Sequence, residues 1–362
     1  MQKEIGSTYW LGPNELDGLP EKSLKSPNLQ ANHRYVSTCR SAIGIVLDNL
    51  RIEKKVVMLP AFTCESVLVA FLDRGYIIQP YPIRTDLTID LNAFNKAVER
   101  IKPSIILVHS YFGFDTISEI RPYVHELRER GIFVIEDQTQ TMFSNNALIG
   151  ANFYVGSIRK WMPIPDGAFV TVPCDCEDED IELAEAKVKA LMGKGNWIAN
   201  GIGEKADFQK DFRTAEDILD GRKIPYCMSS VSREIFAKTN IDDMKAMRRN
   251  NCQILISSIL VKETLSENLI LPLKSLDKDV CPFHLPVLVK YGRKELQNYL
   301  AANNIFATVI WGCPEEYQEL IDEETKYVYD HILCFHVDQR YDESDMNRIL
   351  SVLDGYYQRK SK

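Results

Sequence analysis

Lys160 lies in the segment SIRKWMPIPDG (157–167), which shows neither helical nor strand periodicity. An amine is a nucleophile only when it is neutral, so a catalytic lysine needs a lowered pKa or a Schiff base that already holds it. Most lysines meet neither condition and are simply solvated. This segment alone therefore leaves both readings of Lys160 open.

An acidic pair ends the apolar run of VIEDQTQT, where Glu136 and Asp137 are followed by Gln140. A carboxylate at the mouth of a buried strand must be hydrogen-bonded, paired with a cation or bound to a metal. A structural cap for the next turn explains Asp137 equally well at this point.

The segment VSTCRSAIGIVLDNL predicts a helix that Ser37 or Thr38 caps. The first amides of such a helix have no partner within the helix, and together with its dipole they favour a phosphate group. A capped helix with nothing bound is the simpler alternative.

Apolar runs rich in Val and Ile predict five buried strands: KVVMLP (55–60), YIIQPYPI (76–83), SIILVHSYFG (104–113), IFVIED (132–137) and GAFVTVP (167–173). Segments with helical spacing lie between several of them. This alternation is typical of an α/β fold with a mostly parallel sheet covered by helices on both faces. Ligands bind beyond the carboxyl ends of such strands, which is where Asp137 lies.

The predicted organisation is an N-terminal arm (1–30), a large domain (31–240) and a small α+β C-terminal domain (241–362) with a strand at IFATVIW. An acidic-started helix is predicted at 177–192. The glycine-rich segment GKGNWIANGIGEKADFQKDF that follows shows little periodicity. It is interpreted either as a mobile lid or as a surface excursion.

The composition is that of an ordinary globular protein, with 362 residues, 45% of them hydrophobic, and a net charge of −8. This charge argues against a nucleic-acid partner, although a local cationic pocket for a small anion is compatible with it. The first residues, MQKEIGSTYWLG, show no apolar targeting region, and no run is long enough for a membrane span. We expect a cytoplasmic protein without a membrane partner.

Nine cysteines are scattered along the chain without a CxxC pattern. We expect them to be reduced thiols, including the close pair Cys174 and Cys176. The six histidines show no ligand spacing, so no metal site is expected. Hydrolase, Walker and dinucleotide-binding motifs are absent from the sequence.

Taken together, the three candidate segments indicate one specific cofactor. A helix start for a phosphate, a strand-end aspartate for a pyridinium nitrogen and a downstream lysine for an aldehyde are the three anchors of pyridoxal 5′-phosphate.

The sequence resembles the DegT/StrS family of sugar aminotransferases, within the fold type I pyridoxal-phosphate-dependent enzymes. The resemblance extends from about Thr38 to Leu353 and rests on segments in matching order: CRSAIGIVLDNL, MLPAFTCESVLVAFLDRGY, DLTIDL, VHSYFGFD, VIEDQTQT, GSIRKWMPIPDGAFVTV and PFHLPVLVKYGRKELQNYLAANNIFATVIW. It implies an aspartate aminotransferase-like large domain, a smaller C-terminal domain and a homodimer with sites at the subunit interface.

The resemblance also assigns roles. It implies that Lys160 forms the Schiff base and then moves the proton between the substrate carbon and C4′ of the cofactor. Asp137 protonates the pyridine nitrogen, and Gln140 lies near the 3′-oxygen. Two further sets complete the implied cofactor site: the amides of Thr38, Cys39 and Arg40 with the hydroxyl of Ser157 for the phosphate, and Cys64 at the ring.

The sequence departs from the family in three places. Cys64 stands where many members have an aromatic residue that stacks on the ring, which leaves Phe62 or Tyr111 as alternatives. Ser157 is nearer to the lysine than the family's serine. The segment KIPYCMSS has Pro225 and Cys227 where the family often has Asn and Arg.

The predicted reaction transfers an amino group, from glutamate, to a keto group of a nucleotide-linked deoxysugar. Two alternatives stay open: another pyridoxal-phosphate-dependent transferase or lyase that acts on an amino acid, and a catalytically silent homologue with a binding role.

Overall fold

The computed structural model describes residues 3–12, 30 and 32–360. Within these ranges ten strands form: β1 Arg34–Val36, β2 Val56–Pro60, β3 Ile77–Tyr81, β4 Ile105–Val108, β5 Phe133–Asp137, β6 Phe153–Ser157, β7 Ala168–Val170, β8 Leu269–Ile270, β9 Leu285–Val289 and β10 Ile332–Phe335. The same ranges contain twelve α-helices: α1 Cys39–Asp48, α2 Glu65–Leu72, α3 Leu91–Ile101, α4 Val124–Glu129, α5 Ile181–Asn200, α6 Lys205–Gly221, α7 Ser230–Lys238, α8 Ile241–Val261, α9 Glu263–Ser266, α10 Arg293–Ala302, α11 Glu323–His331 and α12 Glu343–Lys360.

The chain forms two compact units, and the first contains Met1–Ser7, Ile52–Asn152 and Asn240–Lys362. Its four parallel strands have the order β3-β2-β4-β5, so that Val57 of β2 lies between Ile78 and Ile105. A small antiparallel sheet, β10-β9-β8, belongs to the same unit. Every residue of β4 is buried, which explains why this strand is continuously apolar in the sequence.

The second unit contains Thr8–Arg51 and Phe153–Thr239. Its strands pair antiparallel in the order β1-β7-β6, and Phe169 of β7 lies between Tyr35 and Gly156. The helices of this unit are α1, α5, α6 and α7. In the first unit, the parallel strands β2 to β5 alternate with α2, α3 and α4, which confirms the predicted α/β class.

The glycine-rich segment after residue 192 is mostly helical, because α5 continues to Asn200 and α6 begins at Lys205, which leaves only residues 201–204 as a connection. Gly201 ends α5 at φ 66°, a left-handed conformation that suits glycine. Gly195 lies inside α5, where a Cβ would meet the carbonyl oxygen of Leu11 at 1.7 Å. Glycine at position 195 therefore allows two backbone segments to lie close together. The expectation of an irregular segment was wrong at this point.

Two other expectations differ from the structure. IFATVIW contains isolated bridges at Ile305 and Thr308 in place of a strand, and β6 was not predicted. The predicted arm (1–30) lies mostly outside the described residues. Among the residues that are described, no helix has the length and apolar character needed to cross a membrane.

Candidate active site

In the first unit, Asp137 is the last residue of β5 and is buried. Its Oδ1 accepts a hydrogen bond from the amide of Thr139 at 2.8 Å. Because β5 runs parallel to β4, this carboxylate lies at the carboxyl edge of the parallel strands. The sequence predicted Asp137 at the end of this strand, and the structure places it there.

Glu136 is a second buried carboxyl group at this strand end, and burial raises its pKa to about 7. Its Oε2 accepts hydrogen bonds from the amide of Leu148 at 2.9 Å and from Gln138 Nε2 at 3.0 Å. Its Oε1 is buried without a hydrogen-bond partner in the described structure. Sequence reasoning treated Glu136 only as a neighbour of Asp137, because it assigned the role at the strand end to Asp137 alone.

Gln140 is buried, and its Oε1 accepts a hydrogen bond from the amide of Phe112 at 2.7 Å. Phe112 has φ 55° and Gly113 has φ 94°, so the chain turns sharply after β4. A Cβ on Gly113 would lie 2.0 Å from the carbonyl oxygen of Cys281, which makes glycine necessary there. Gln140 thus holds a turn that starts just beyond the neighbouring strand.

Cys64 precedes α2 with an extended backbone and is half-buried. The two rings named as alternatives to a stacking aromatic at this position, Phe62 and Tyr111, are both fully buried. Tyr111 donates its hydroxyl proton to the carbonyl oxygen of Phe62 at 2.5 Å, and the ring centroids lie 5.5 Å apart. Trp311 also lies beside Phe62, with the centroids of the two rings 5.0 Å apart, and Trp311 is half-buried.

His109 lies beside this aromatic cluster, with its ring centroid 4.7 Å from that of Tyr111. Its Nε2 is 3.0 Å from Oγ1 of Thr63, and burial lowers the pKa of His109 to about 3. The imidazole is therefore neutral at physiological pH. Among the described residues, no group of three or more His, Cys, Asp or Glu side chains is arranged to hold a metal ion.

In the second unit, Thr38 is the N-cap of α1, and its Oγ1 accepts a hydrogen bond from the amide of Ser41 at 3.0 Å. No acidic residue lies in the first turn, so the helix start keeps its positive character. Cys39 and Arg40 open the helix. The Arg40 side chain donates to the carbonyl oxygen of Leu219 at 3.0 Å, at the end of α6.

Ser157 is the buried last residue of β6, and Lys160 ends the short turn Ile158–Lys160 with an exposed side chain. The amides of Ile158 and Arg159 both donate to the carbonyl oxygen of Gly167, at 2.9 and 3.2 Å. Residues 158–167 therefore form a closed loop, which we call the lysine loop. The amide of Gly167 donates to the carbonyl oxygen of Ser37 at 2.8 Å, so this loop adjoins the start of α1.

Asp166, in the lysine loop, is fully buried. It accepts hydrogen bonds from the amide of Ser229 at 3.0 Å, from Ser229 Oγ at 2.7 Å and from Ser232 Oγ at 2.5 Å. Burial raises the pKa of Asp166, and these hydrogen bonds oppose the rise. Asp166 fastens the lysine loop to the start of α7, a role for which the sequence offered no signal.

Glu216 of α6 forms ion pairs with Lys187 and with Arg159, the latter at 3.5 Å. Burial opposes ionisation of this group, but the charges of Arg159 and Lys187 lower the pKa of Glu216 to about 2. Since Arg159 precedes Lys160 and Arg40 also contacts α6, this helix touches both the lysine loop and the start of α1.

Cys176 and Cys227 form a disulfide, with their Cα atoms 5.4 Å apart. The expectation that these two cysteines are reduced thiols is therefore wrong. The pair is brought together because Glu177 and Tyr226 face each other in a parallel bridge. The two cysteines are 51 residues apart, and no sequence pattern links them.

No protein-family model and no curated protein matches this chain. Solved structures do match. S. venezuelae DesV, solved in complex with a ketimine intermediate, is 17% identical with a TM-score of 0.65, covering 97% of this chain and 91% of that chain. Helicobacter pylori PseC, an aminotransferase involved in the biosynthesis of pseudoaminic acid, is 14% identical with a TM-score of 0.66, over 90% of this chain and 87% of that one.

A DegT DnrJ EryC1 StrS aminotransferase from Brucella abortus is 15% identical with a TM-score of 0.63, covering 90% of this chain and 86% of that chain. It carries the name of the family that the sequence resembles. At these identities the likeness establishes the fold, and the chain has the fold type I architecture predicted from its sequence.

Proposed function

We propose that this protein is a pyridoxal-phosphate-dependent aminotransferase of the DegT/StrS family. The observation that carries the proposal is the position of three chemically distinct groups. Asp137 is the last residue of a parallel strand, Thr38 caps α1, and Lys160 follows β6 within a closed loop. The shared fold with named sugar aminotransferases supports it further.

The donor set fits pyridoxal 5′-phosphate. A ten-residue helix that begins without an acidic residue suits a phosphate dianion, and a buried carboxylate suits a protonated ring nitrogen. When bound, the cofactor supplies an electron sink conjugated to the reacting carbon.

Each residue of the proposed site then has a task. The amine of Lys160 holds the aldehyde carbon and afterwards moves a proton between the substrate carbon and C4′. The carboxylate of Asp137 keeps the pyridine nitrogen protonated, and Gln140 lies near the 3′-oxygen. The phosphate is held by two groups of donors: the amides of Thr38, Cys39 and Arg40, and the hydroxyl of Ser157. Cys64 lies at the ring.

For the substrates, we propose glutamate as amino donor and a keto group of a nucleotide-linked deoxysugar as acceptor. The two half-reactions alternate on one site, so a ping-pong pattern is expected. The proposal includes a homodimer and a cytoplasmic location, and it retains the division into domains at 31–240 and 241–362.

The test is the absorbance spectrum of the purified protein after incubation with pyridoxal phosphate. We expect a visible band from lysine-bound cofactor, which glutamate shifts to the pyridoxamine form, and borohydride should fix the cofactor mass on the peptide of Lys160. Lys160→Ala should lose the band, whereas Lys96→Ala, at an exposed position of α3, should keep it. Absence of both band and fixed mass in the natural sequence would refute the proposal.

Two further results would separate the alternatives. A cofactor band that glutamate leaves unchanged, with every nucleotide sugar offered, would favour another reaction of the same cofactor. Binding of a nucleotide sugar without any cofactor band would favour a silent homologue.

A further inference from the structure

The disulfide lies in a segment that connects several parts of the second unit. Residues 225–229, PYCMS, which we call the hub segment, run beside β1 on one side. The amide of Ser37 donates to the carbonyl oxygen of Tyr226 at 2.9 Å, and the amide of Met228 donates to that of Tyr35 at 3.1 Å. The hub segment therefore holds the residues that lead into the cap of α1.

The other side of the hub segment pairs with the chain around Glu177. The amide of Glu177 donates to the carbonyl oxygen of Pro225 at 3.0 Å, and that of Cys227 donates to the carbonyl oxygen of Glu177 at 2.9 Å. The disulfide Cys176–Cys227 crosses at the same place. It is the covalent tether of an otherwise hydrogen-bonded contact.

The hub segment also reaches the lysine loop. Its last residue, Ser229, gives Asp166 both an amide and a hydroxyl hydrogen bond, as described above. Ser37 and Gly167 are joined directly. The start of α1 and the lysine loop thus depend on one short segment, whose central residue, Cys227, is covalently fixed.

We propose that Cys176–Cys227 is a site of reversible thiol–disulfide exchange, and that its oxidation state sets how firmly the start of α1 and the lysine loop are held. Neither cysteine is fully buried, and the proposed reductant is a small or protein dithiol. The thiolate of that dithiol attacks one sulfur, the S–S bond breaks, and a mixed disulfide forms. Its second thiol then displaces the cysteine. The reductant leaves as a disulfide, and the protein gains two electrons and two protons as two thiols.

The direct test compares the oxidised and dithiothreitol-reduced protein by hydrogen exchange with mass spectrometry, without added cofactor. We expect reduction to speed exchange by about tenfold in residues 35–41, 158–167 and 225–229, because a tether that orders these backbones is gone. Exchange in β4 and α3, of the first unit, should be unchanged. Exchange rates that are the same in the oxidised and the reduced protein, in all three segments, would overturn the proposal.

Variants separate the disulfide from other effects of the reductant. The double variant Cys176→Ser, Cys227→Ser should exchange like the reduced protein under both conditions. Cys174→Ser removes a neighbouring half-buried thiol that is free, and it should behave like the natural sequence. If the double variant still responds to dithiothreitol in these segments, the tether is not the cause.

Thiol counting supplies an independent readout. After treatment with oxidised glutathione and unfolding, an alkylating reagent should label seven cysteines, and after reduction it should label all nine. Labelling of all nine after the oxidising treatment would also overturn the proposal.

A consequence for the cofactor rests on the proposed function. We expect the dissociation constant of pyridoxal phosphate to rise by about tenfold on reduction, equivalent to about 1.4 kcal/mol. Cofactor binding in neither state would refute the proposed function and leave the exchange result standing. Equal affinity in both states would refute the coupling of the disulfide to the cofactor-binding elements.

Discussion

Replacement of Glu136 by glutamine should stabilise the protein at alkaline pH and leave it unchanged in acid. Burial raises the pKa of Glu136 from 4.5 to about 7, and Oε1 has no hydrogen-bond partner in the described structure. The folded state therefore binds this proton more tightly than the unfolded state does. The contribution of Glu136 to the free energy of unfolding is complete below about pH 4.5 and is lost as the pH rises through about 7.

The size of the effect follows from the shift. Each pKa unit corresponds to about 1.4 kcal/mol, so a rise from 4.5 to about 7 corresponds to about 3 kcal/mol. Glutamine has the shape of the protonated acid and keeps an acceptor for the amide of Leu148. The free energy of unfolding of the Glu136→Gln protein should thus exceed that of the natural sequence by about 3 kcal/mol well above pH 7. The two values should be equal near pH 4.5.

Urea unfolding followed by circular dichroism and tryptophan fluorescence, at several pH values between these limits, measures the difference. Glu53→Gln changes an exposed glutamate of the same unit and is the control, whose free energy of unfolding should stay within about 1 kcal/mol of the natural sequence. A Glu136→Gln protein whose stability follows that of the natural sequence in parallel across the range would contradict the reasoning.

Three further predictions concern the second unit. Asp166→Ala leaves buried donors without their acceptor and should lower the free energy of unfolding by about 3 kcal/mol in urea, whereas a change under 1 kcal/mol would speak against this anchor. Gly195→Ala should release the segment around Leu11, because the new Cβ meets its carbonyl oxygen at 1.7 Å, and unchanged hydrogen exchange at residues 8–12 would disprove the contact. Glu216→Gln should raise the midpoint pH of acid unfolding, because a carboxylate with a pKa of about 2 stabilises the fold above its ordinary pKa of 4.5 and loses this effect as the pH falls toward 2. An unchanged midpoint would mean that the ion pairs with Arg159 and Lys187 are energetically neutral.

Part of the fold could be predicted because local chemistry decides it. Strand β4 is a continuous run of Ile, Leu and Val, and β2 and β5 are mostly apolar, which is typical of buried strands between turn residues. Thr38 caps its helix because its hydroxyl can accept from a first-turn amide, which depends only on neighbouring residues.

The rest depends on partners distant in sequence. Glycine disfavours a helix interior by its own preference, yet Gly195 lies inside α5, where the distant backbone of Leu11 leaves no room for a side chain. Strand β6 was missed because FYVGS contains a glycine and is only partly buried, so it lacks a clear alternating pattern. Neither the disulfide nor the serine partners of Asp166 has a local signature.

The hydrogen bond between Gln140 and the amide of Phe112 has a consequence for the polarity of this side chain. Its oxygen already accepts from the backbone, which leaves both N–H groups of the carboxamide as donors for a ligand. Under the proposed function, Gln140 would therefore favour the ionised form of the cofactor's 3′-oxygen. A backbone turn thereby orients the carboxamide whose N–H groups would face that oxygen.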